Sequence, residues 1–317
     1  MILVDAERVH ALLDYPLLVE ALDNYHRQDI CLLEDLLLQQ PSATGTPTHF
    51  FLRAAWQPQQ DLGTKVITIF PENKGADAGL PAVQAVYLLF DGSNGQPKAC
   101  IDGTAITYRK TAADSALGAK YLAREDAEVM LMVGAGAMAS HLIRAHSAVR
   151  PSIRKVLIWN RTAAAAEKLA SALSLDNLEI RVTDDLASAA GNADVISCAT
   201  MSPSPLIQGK WLKPGAHLDL VGAFTKETRE ADDDAVRRGK LFVDCRATTI
   251  KDCGEICIPI ATGIITESDI RADHFDLCSG RHPGREQAED ITFFKNGGGG
   301  HLDLMTARFA YSRIESS

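Results

Sequence analysis

The chain has 317 residues and a formal net charge of −9. That length suffices for two domains with separate cores, and the charge excludes the basic face that nucleic acid requires. Seven cysteines without a framework spacing exclude an all-disulfide scaffold, and Cys253 and Cys257 lack a matching second pair, so reduced thiols in a cytoplasmic protein are expected and a metal is not. No basic-then-apolar leader opens the chain, and no apolar run approaches the roughly 20 residues of a membrane span.

In chain order, Pro16 to Tyr25 has the spacing of an amphipathic helix, and Gln39 to Thr48, rich in Pro, Ser, Thr and Gly, reads as a loop. His49 to Ala55, Gly63 to Phe70 and Ala82 to Phe90 carry strand patterns. Asp91-Gly92-Ser93-Asn94-Gly95 is a turn signal, and Pro97 to Asp102 a further strand with Lys98 exposed. A mixed or antiparallel sheet domain is predicted here. Two cations stand out. Lys65 lies inside an apolar strand, and Arg109 opens a helix rich in small residues. Burying a cation is unfavourable unless it is paired. A substrate carboxylate is one partner, which an arginine can grip through two parallel bonds; an internal Asp or Glu is the other, and the sequence leaves both open.

Val129 to Val133 then reads as a strand buried on both faces, followed by Gly134-Ala135-Gly136 and Ala139 in the G-x-G-x-x-A spacing. Gly134 permits a tight turn, Gly136 lets main chain approach a pyrophosphate, and Ala139 lets the following helix pack closely. The N–H groups of that helix would face the phosphates. Alone, the spacing also suits an ordinary strand-to-helix turn. Lys155 to Trp159 supplies the second strand of a mononucleotide-binding unit, and it ends in Asn160-Arg161 where an NAD-specific site usually has an acid. Arg161 can pair with a 2′-phosphate, so NADPH is expected to be preferred over NADH. Further strands are expected at Glu179 to Val182, Asp194 to Thr200, Leu218 to Gly222 and Leu241 to Asp244, with a helix from Asp184 to Ala190. Such alternation predicts a doubly wound parallel sheet, with ligands beyond the carboxyl ends of its strands. Thr200, Met201 and the stretch after Gly222 are therefore expected to border the nicotinamide, with Val221 and Gly222 also among the cofactor-binding residues. Thr111, Ala135, Ala137 and Met138 complete the expected cofactor-binding set. Near the end, Ile291 to Asn296 precedes four glycines, 297 to 300, which suggest a flexible joint or a close approach to the cofactor. A last helix is expected to return to the first domain.

Taken together, Lys65-Val66, the turn from Asp91 to Gly95, Asp102-Gly103, Arg109 to Ala113, Val133 to Ala139, Asn160-Arg161 and Phe294-Lys295 resemble the ornithine cyclodeaminase and mu-crystallin family over nearly the whole chain. The resemblance implies a homodimer. It implies an α+β substrate-binding and dimerisation domain from residues 1–112 plus 300–317, and a Rossmann-type NAD(P)-binding domain from 113–299. It also implies that Lys65 and Arg109 lie against the substrate, Arg109 holding its carboxylate. Members include cyclodeaminases, ketimine reductases and some alanine dehydrogenases. There are departures. Cyclodeaminases have an aspartate two residues beyond the glycine matching Gly222, and here that position is Phe224. A phenyl ring cannot accept a proton or orient an ammonium by charge. The arginine that often follows a proline near position 42 is Ser42 here, and Arg53 is the candidate to replace its contact. Asn296 stands where the family usually has serine. The expected activity is NAD(P)H-dependent reduction of small cyclic imino acids, with Lys65 and Arg109 as catalytic residues and Arg53 and Phe224 completing the substrate site. 1-Pyrroline-2-carboxylate would give L-proline, and 1-piperideine-2-carboxylate L-pipecolate. The alternatives are an alanine dehydrogenase, an ornithine cyclodeaminase and a non-catalytic crystallin-like binding protein. Asp219 and His301 are expected to be structural.

Overall fold

The computed structural model describes residues 1–41, 45–74 and 79–315. The chain divides into two units, Met1–Lys110 with Gly299–Ser317, and Thr111–Gly298, the boundary falling inside the helix Gly103–Leu122.

The first unit is built on a six-stranded sheet of β1 (Ile2–Val4), β2 (Leu32–Gln40), β3 (Thr48–Gln57), β4 (Asp61–Ile69), β5 (Val83–Asp91) and β6 (Pro97–Asp102), in the order β1-β6-β5-β4-β3-β2. β1 pairs parallel to β6 and the other neighbours are antiparallel, so the sheet is mixed. The final helix, Gly300–Glu315, lies against β3, β4 and β5 and against the helix Tyr15–His26. Its residues from Gly300 to Ala307 are all buried. β2 was not legible in the sequence. Leu36, Leu37 and Leu38 follow one another and are all exposed, so the strand carries no alternation of period 2. The segment expected as a loop from Gln39 to Thr48 contributes Gln39 and Gln40 to β2 and Thr48 to β3; residues 42–44, including Ser42, lie outside the described residues. Cross-strand register puts Leu36, Leu52, Val66 and Val86 on one face with Leu32, Trp56, Leu38 and Phe50. Six of these residues are exposed, from 40% at Phe50 to 63% at Leu32, while Leu52 and Val66 are half-buried. Lys98, expected to be exposed, is partly buried and paired with Asp61 at 2.8 Å.

The second unit is an eight-stranded, wholly parallel sheet of β7 (Val129–Val133), β8 (Lys155–Trp159), β9 (Glu179–Val182), β10 (Val195–Cys198), β11 (His217–Leu220), β12 (Lys240–Val243), β13 (Ile270–Ala272) and β14 (Thr292–Lys295). The order is β13-β12-β14-β11-β10-β7-β8-β9. The chain winds outward from β7 through β8 to β9 and then restarts at β10 on the other side of β7, which makes the doubly wound Rossmann-type arrangement and puts its switch point at the β7/β10 junction. The strands are short and apolar because helices cover both faces. β13 and β14 were not predicted: each has only three or four residues, too few for a period to register. β14 nonetheless slots between β11 and β12, and its Phe294 ring packs against Gly118 of the helix Gly103–Leu122 so closely that a Cβ there would lie 2.9 Å from it. Among the described residues no helix is long and apolar enough to cross a membrane.

Candidate functional site

At the carboxyl end of β7 the main chain turns through Gly134, whose φ of +105° and whose neighbour, the Ala199 carbonyl oxygen 2.8 Å from any added Cβ, admit no side chain. Gly136 is exposed, and a Cβ built there meets nothing within 4 Å. Asn160, at the end of β8, ties the turn down: its Oδ1 accepts from the Ala135 N–H at 3.1 Å while its Nδ2 donates to the Thr162 carbonyl at 2.9 Å. The helix Ala139–Val149 begins beyond half-buried Met138 and exposed Ala137, and no side chain caps its N-terminus. A cleft of about 290 Å³ opens here, lined by Gly134, Asn160, Arg161, Thr200, Met201 and Ser202 among others. Arg161 is exposed at its edge. Main-chain donors, an uncapped helix N-terminus and a guanidinium around one cleft suit the phosphates of a dinucleotide.

Sequence reasoning missed what organises the far wall. Glu230, fully buried, accepts from the Thr200 N–H at 2.7 Å and hydroxyl at 2.8 Å with one oxygen, and from the Gly222 N–H at 2.7 Å with the other. One carboxylate thus joins the loop after β10 to the loop after β11. The two loops are so close that a Cβ on Gly222 would lie 2.0 Å from the Thr200 carbonyl oxygen. Glu255 in turn accepts from the main-chain N–H groups of Glu230 and Ala231. Burial raises the pKa of both acids, Glu255 to about 7, against the lowering influence of Lys295. The Lys295 ammonium is itself buried and donates to the Leu220 carbonyl at 3.1 Å. An acid eight residues from Gly222 has no sequence signature; only the register of the loops reveals it.

Of the other expected cofactor contacts, Val221 is buried and its N–H continues the ladder to the Cys198 carbonyl at 2.8 Å. Half-buried Thr111 has its carbonyl bonded to the Asn296 amide at 3.0 Å. That amide also donates to Ser115 Oγ, which donates to Asp219, and Asp219 holds Ser197 and His146 as well. Asp219 is therefore consumed inside the unit. Asn296, the departure from serine, thus bridges Thr111 and Ser115. Phe224 is 59% exposed, just beyond buried Ala223. The glycine run is held rather than loose: the Gly297 and Gly298 N–H groups donate to Asp244 Oδ2 at 3.0 and 2.6 Å, and Gly297 sits where a Cβ would meet Thr249 Oγ1 at 2.3 Å.

In the first unit, β3 and β4 place Arg53 directly opposite Lys65. Lys65 is buried, with its Nζ 2.9 Å from Asp303 of the final helix. Arg53 forms a two-pronged pair with Asp35 of β2, at 3.0 and 2.9 Å to Oδ2. The third cation is one that the sequence reading passed over. Lys110, buried, lies 3.4 Å from the same Asp303. Arg109, expected in this place, is turned elsewhere. Its guanidinium donates to His10 Nδ1 at 3.0 Å and to the His10 carbonyl at 2.9 Å, and stacks 4.7 Å over the Tyr15 ring. Adjacent helical residues point about 100° apart, so only one of the pair can face Lys65; the register of the helix gives that position to Lys110. Burial lowers the pKa of Lys65 to about 8, with Asp303 raising it and Lys110 lowering it. Burial alone would raise that of Asp303, but the two ammoniums outweigh it and hold the carboxyl below its usual range. The internal acid that the sequence left open as a partner for Lys65 is thus Asp303, on the last helix.

Known proteins resemble this chain over most of its length. The family model of the ornithine cyclodeaminase/mu-crystallin family matches residues 51–317. A Delta(1)-pyrroline-2-carboxylate reductase of Paracoccus denitrificans is 42% identical over 291 residues, covering 92% of this chain and 90% of that one. The ketimine reductase mu-crystallin of Mus musculus is 36% identical over 255 residues, 80% and 77% of the two chains. The structure of the Thermococcus litoralis Delta(1)-pyrroline-2-carboxylate reductase in complex with NADH and L-proline superposes with a TM-score of 0.90 at 29% identity, covering 100% of this chain and 98% of the other.

Proposed function

The chain belongs to the ornithine cyclodeaminase/mu-crystallin family, and we propose from that premise that it is an NAD(P)H-dependent ketimine reductase, reducing 1-pyrroline-2-carboxylate to L-proline and its six-membered homologue to L-pipecolate. Its relatives of that activity support the reaction. Within the molecule, what carries the assignment is an excess of positive charge: among the described residues, Arg53, Lys65 and Lys110 pair with two carboxylates, Asp35 and Asp303. A substrate carboxylate supplies the missing negative charge.

In this mechanism the turn from Gly134 to Met138 would receive the pyrophosphate, Asn160 would stand at the adenosine ribose while tying down that turn, and Thr200, Val221 and Gly222 would border the nicotinamide. The bound dihydronicotinamide supplies the hydride that reduces the imine carbon, C2. Lys110 takes the substrate carboxylate in the place expected of Arg109, with Arg53 as second donor. Lys65 would hold the same carboxylate as an ammonium and hand its proton to the imine nitrogen, itself becoming the neutral amine, so that C2 is the better electrophile. Phe224 offers an apolar wall where a cyclodeaminase needs an acid, so a ring without a free amine is the matching substrate. NADPH is preferred over NADH, through Arg161. The protein works as a cytoplasmic homodimer, its first unit serving substrate binding and dimerisation; the apolar outer sheet face from Leu32 to Val86 has the character of a surface that a second copy covers. A steady-state panel tests the assignment: the two cyclic imines with NADPH and with NADH, pyruvate with ammonium, and ornithine with NAD+. Turnover of the cyclic imines should exceed the rest, and ammonia release from ornithine at a comparable rate would replace reductase with cyclodeaminase.

A further inference from the structure

We propose that Asp303 is a positioning residue for this reduction: the final helix carries its carboxylate into the core of the first unit, where it holds the Lys65 and Lys110 ammoniums together and keeps Lys65 charged. The proposal rests on the imine-reductase reading above. Its basis is geometric. Asp303 is fully buried, 2.9 Å from Lys65 Nζ and 3.4 Å from Lys110 Nζ, and both lysines are almost wholly buried. Two ammoniums this close repel each other unless a carboxylate sits against both. The remaining groups around them do not substitute for it. Arg53 from β3 adds positive charge and is already paired with Asp35 of β2; Thr107 offers Lys65 a neutral hydroxyl at 3.4 Å; the buried Tyr87 phenol of β5, opposite Lys65 in register, is held neutral by burial and by Asp303 itself. The helix that bears Asp303 starts where a Cβ on Gly300 would lie 3.1 Å from Arg53 Cγ and 3.2 Å from the Ala54 carbonyl oxygen. Asp303 is therefore placed within one turn of a close backbone fit.

Lys65 loses its proton near pH 8 because burial outweighs Asp303, while Lys110 pushes in the same direction as burial. Removing either neighbour thus moves Lys65 in opposite directions. The experiment compares Asp303→Asn, Asp303→Glu and Lys110→Met with the wild-type protein, reading the pH profile of kcat/KM for 1-pyrroline-2-carboxylate, the dissociation constant for NADH, and the Lys65 Nζ titration by nitrogen NMR. In the wild-type protein kcat/KM should fall as pH rises through about 8. Asp303→Asn should lower kcat/KM about 100-fold at neutral pH, shift that fall to lower pH, and leave the NADH dissociation constant within about twofold. Lys110→Met should shift the fall to higher pH, and Asp303→Glu should restore the wild-type profile. Should Asp303→Asn fail to fold, the upward shift in Lys110→Met and the unshifted profile of Asp303→Glu decide the matter, and a downward or absent shift in Lys110→Met overturns the proposal. A Lys65 titration that stays at its wild-type position, or that moves the same way in Asp303→Asn and Lys110→Met, overturns the proposal. Absence of imine reduction in the wild-type protein instead removes the reaction, which the NMR titration does not depend on.

Discussion

The two units make their binding surfaces from different material. In the second unit the cleft is built of main chain: a turn at Gly134, an uncapped helix N-terminus, and loops joined by Glu230. In the first, the cation group is built of side chains, and one of its pairs, Lys65 and Asp303, is separated by 238 residues of sequence. A surface of main chain fails chiefly through steric intrusion. A surface of buried charges fails through loss of balance and follows pH closely. Variants in one unit should therefore be silent in the other, and each prediction below would break the contrast if the wrong quantity moved.

The largest effect is expected at Lys65. Lys65→Met removes a buried, hydrogen-bonded charge, a loss of roughly 2 to 5 kcal/mol or on the order of 1000-fold in kcat/KM. Dinucleotide affinity, followed by quenching of the protein's fluorescence, should be unchanged. Next comes Gly134→Ala, where strain from the positive φ and the 2.8 Å approach to the Ala199 carbonyl should weaken NADH and NADPH alike by about 100-fold. A Gly134→Ala protein with ordinary affinity would mean that the cleft is not where the dinucleotide lies. A smaller effect is expected for Arg161→Ala: about tenfold weaker NADPH binding with NADH little altered. Equal losses for the two would take Arg161 away from the 2′-phosphate. The smallest belongs to Arg109. Because its guanidinium serves His10 and Tyr15, Arg109→Lys should lower the melting temperature by a few degrees, roughly 1 kcal/mol, with kcat/KM within about twofold of wild type. A large loss of activity in a well-folded Arg109→Lys protein would restore Arg109 to the substrate.

This contrast also accounts for what could be read from sequence. The cleft was legible because its parts are local. Gly134, Gly136 and Ala139 lie within six residues, and Asn160 follows at the length of one strand–helix–strand unit. The Rossmann-type sheet was legible for the same reason, apart from β13 and β14, which are too short to carry a period. Glu230 was not, since a lone acid in a polar loop looks like solvated surface until the strand ends are brought together. The cation group was half legible. Lys65 stood out as a charge in an apolar strand, and Arg53 was a candidate that its register with Lys65 supports. Lys110, rather than the expected Arg109, lies beside Asp303, a difference the sequence hides because adjacent cations at a helix start are distinguished only by rotation about the helix axis. Asp303 was hidden because nothing near it in sequence announces a partner in β4.

The most direct test of the assignment follows the hydride itself. The wild-type protein is incubated with 1-pyrroline-2-carboxylate and dihydronicotinamide dinucleotide carrying deuterium at the transferable position, and the amino-acid product is examined by NMR and mass spectrometry. L-Proline bearing a single deuterium at C2, formed in step with oxidation of the dinucleotide, is the predicted result. Oxidation without deuterium at C2, or no proline at all, would contradict it.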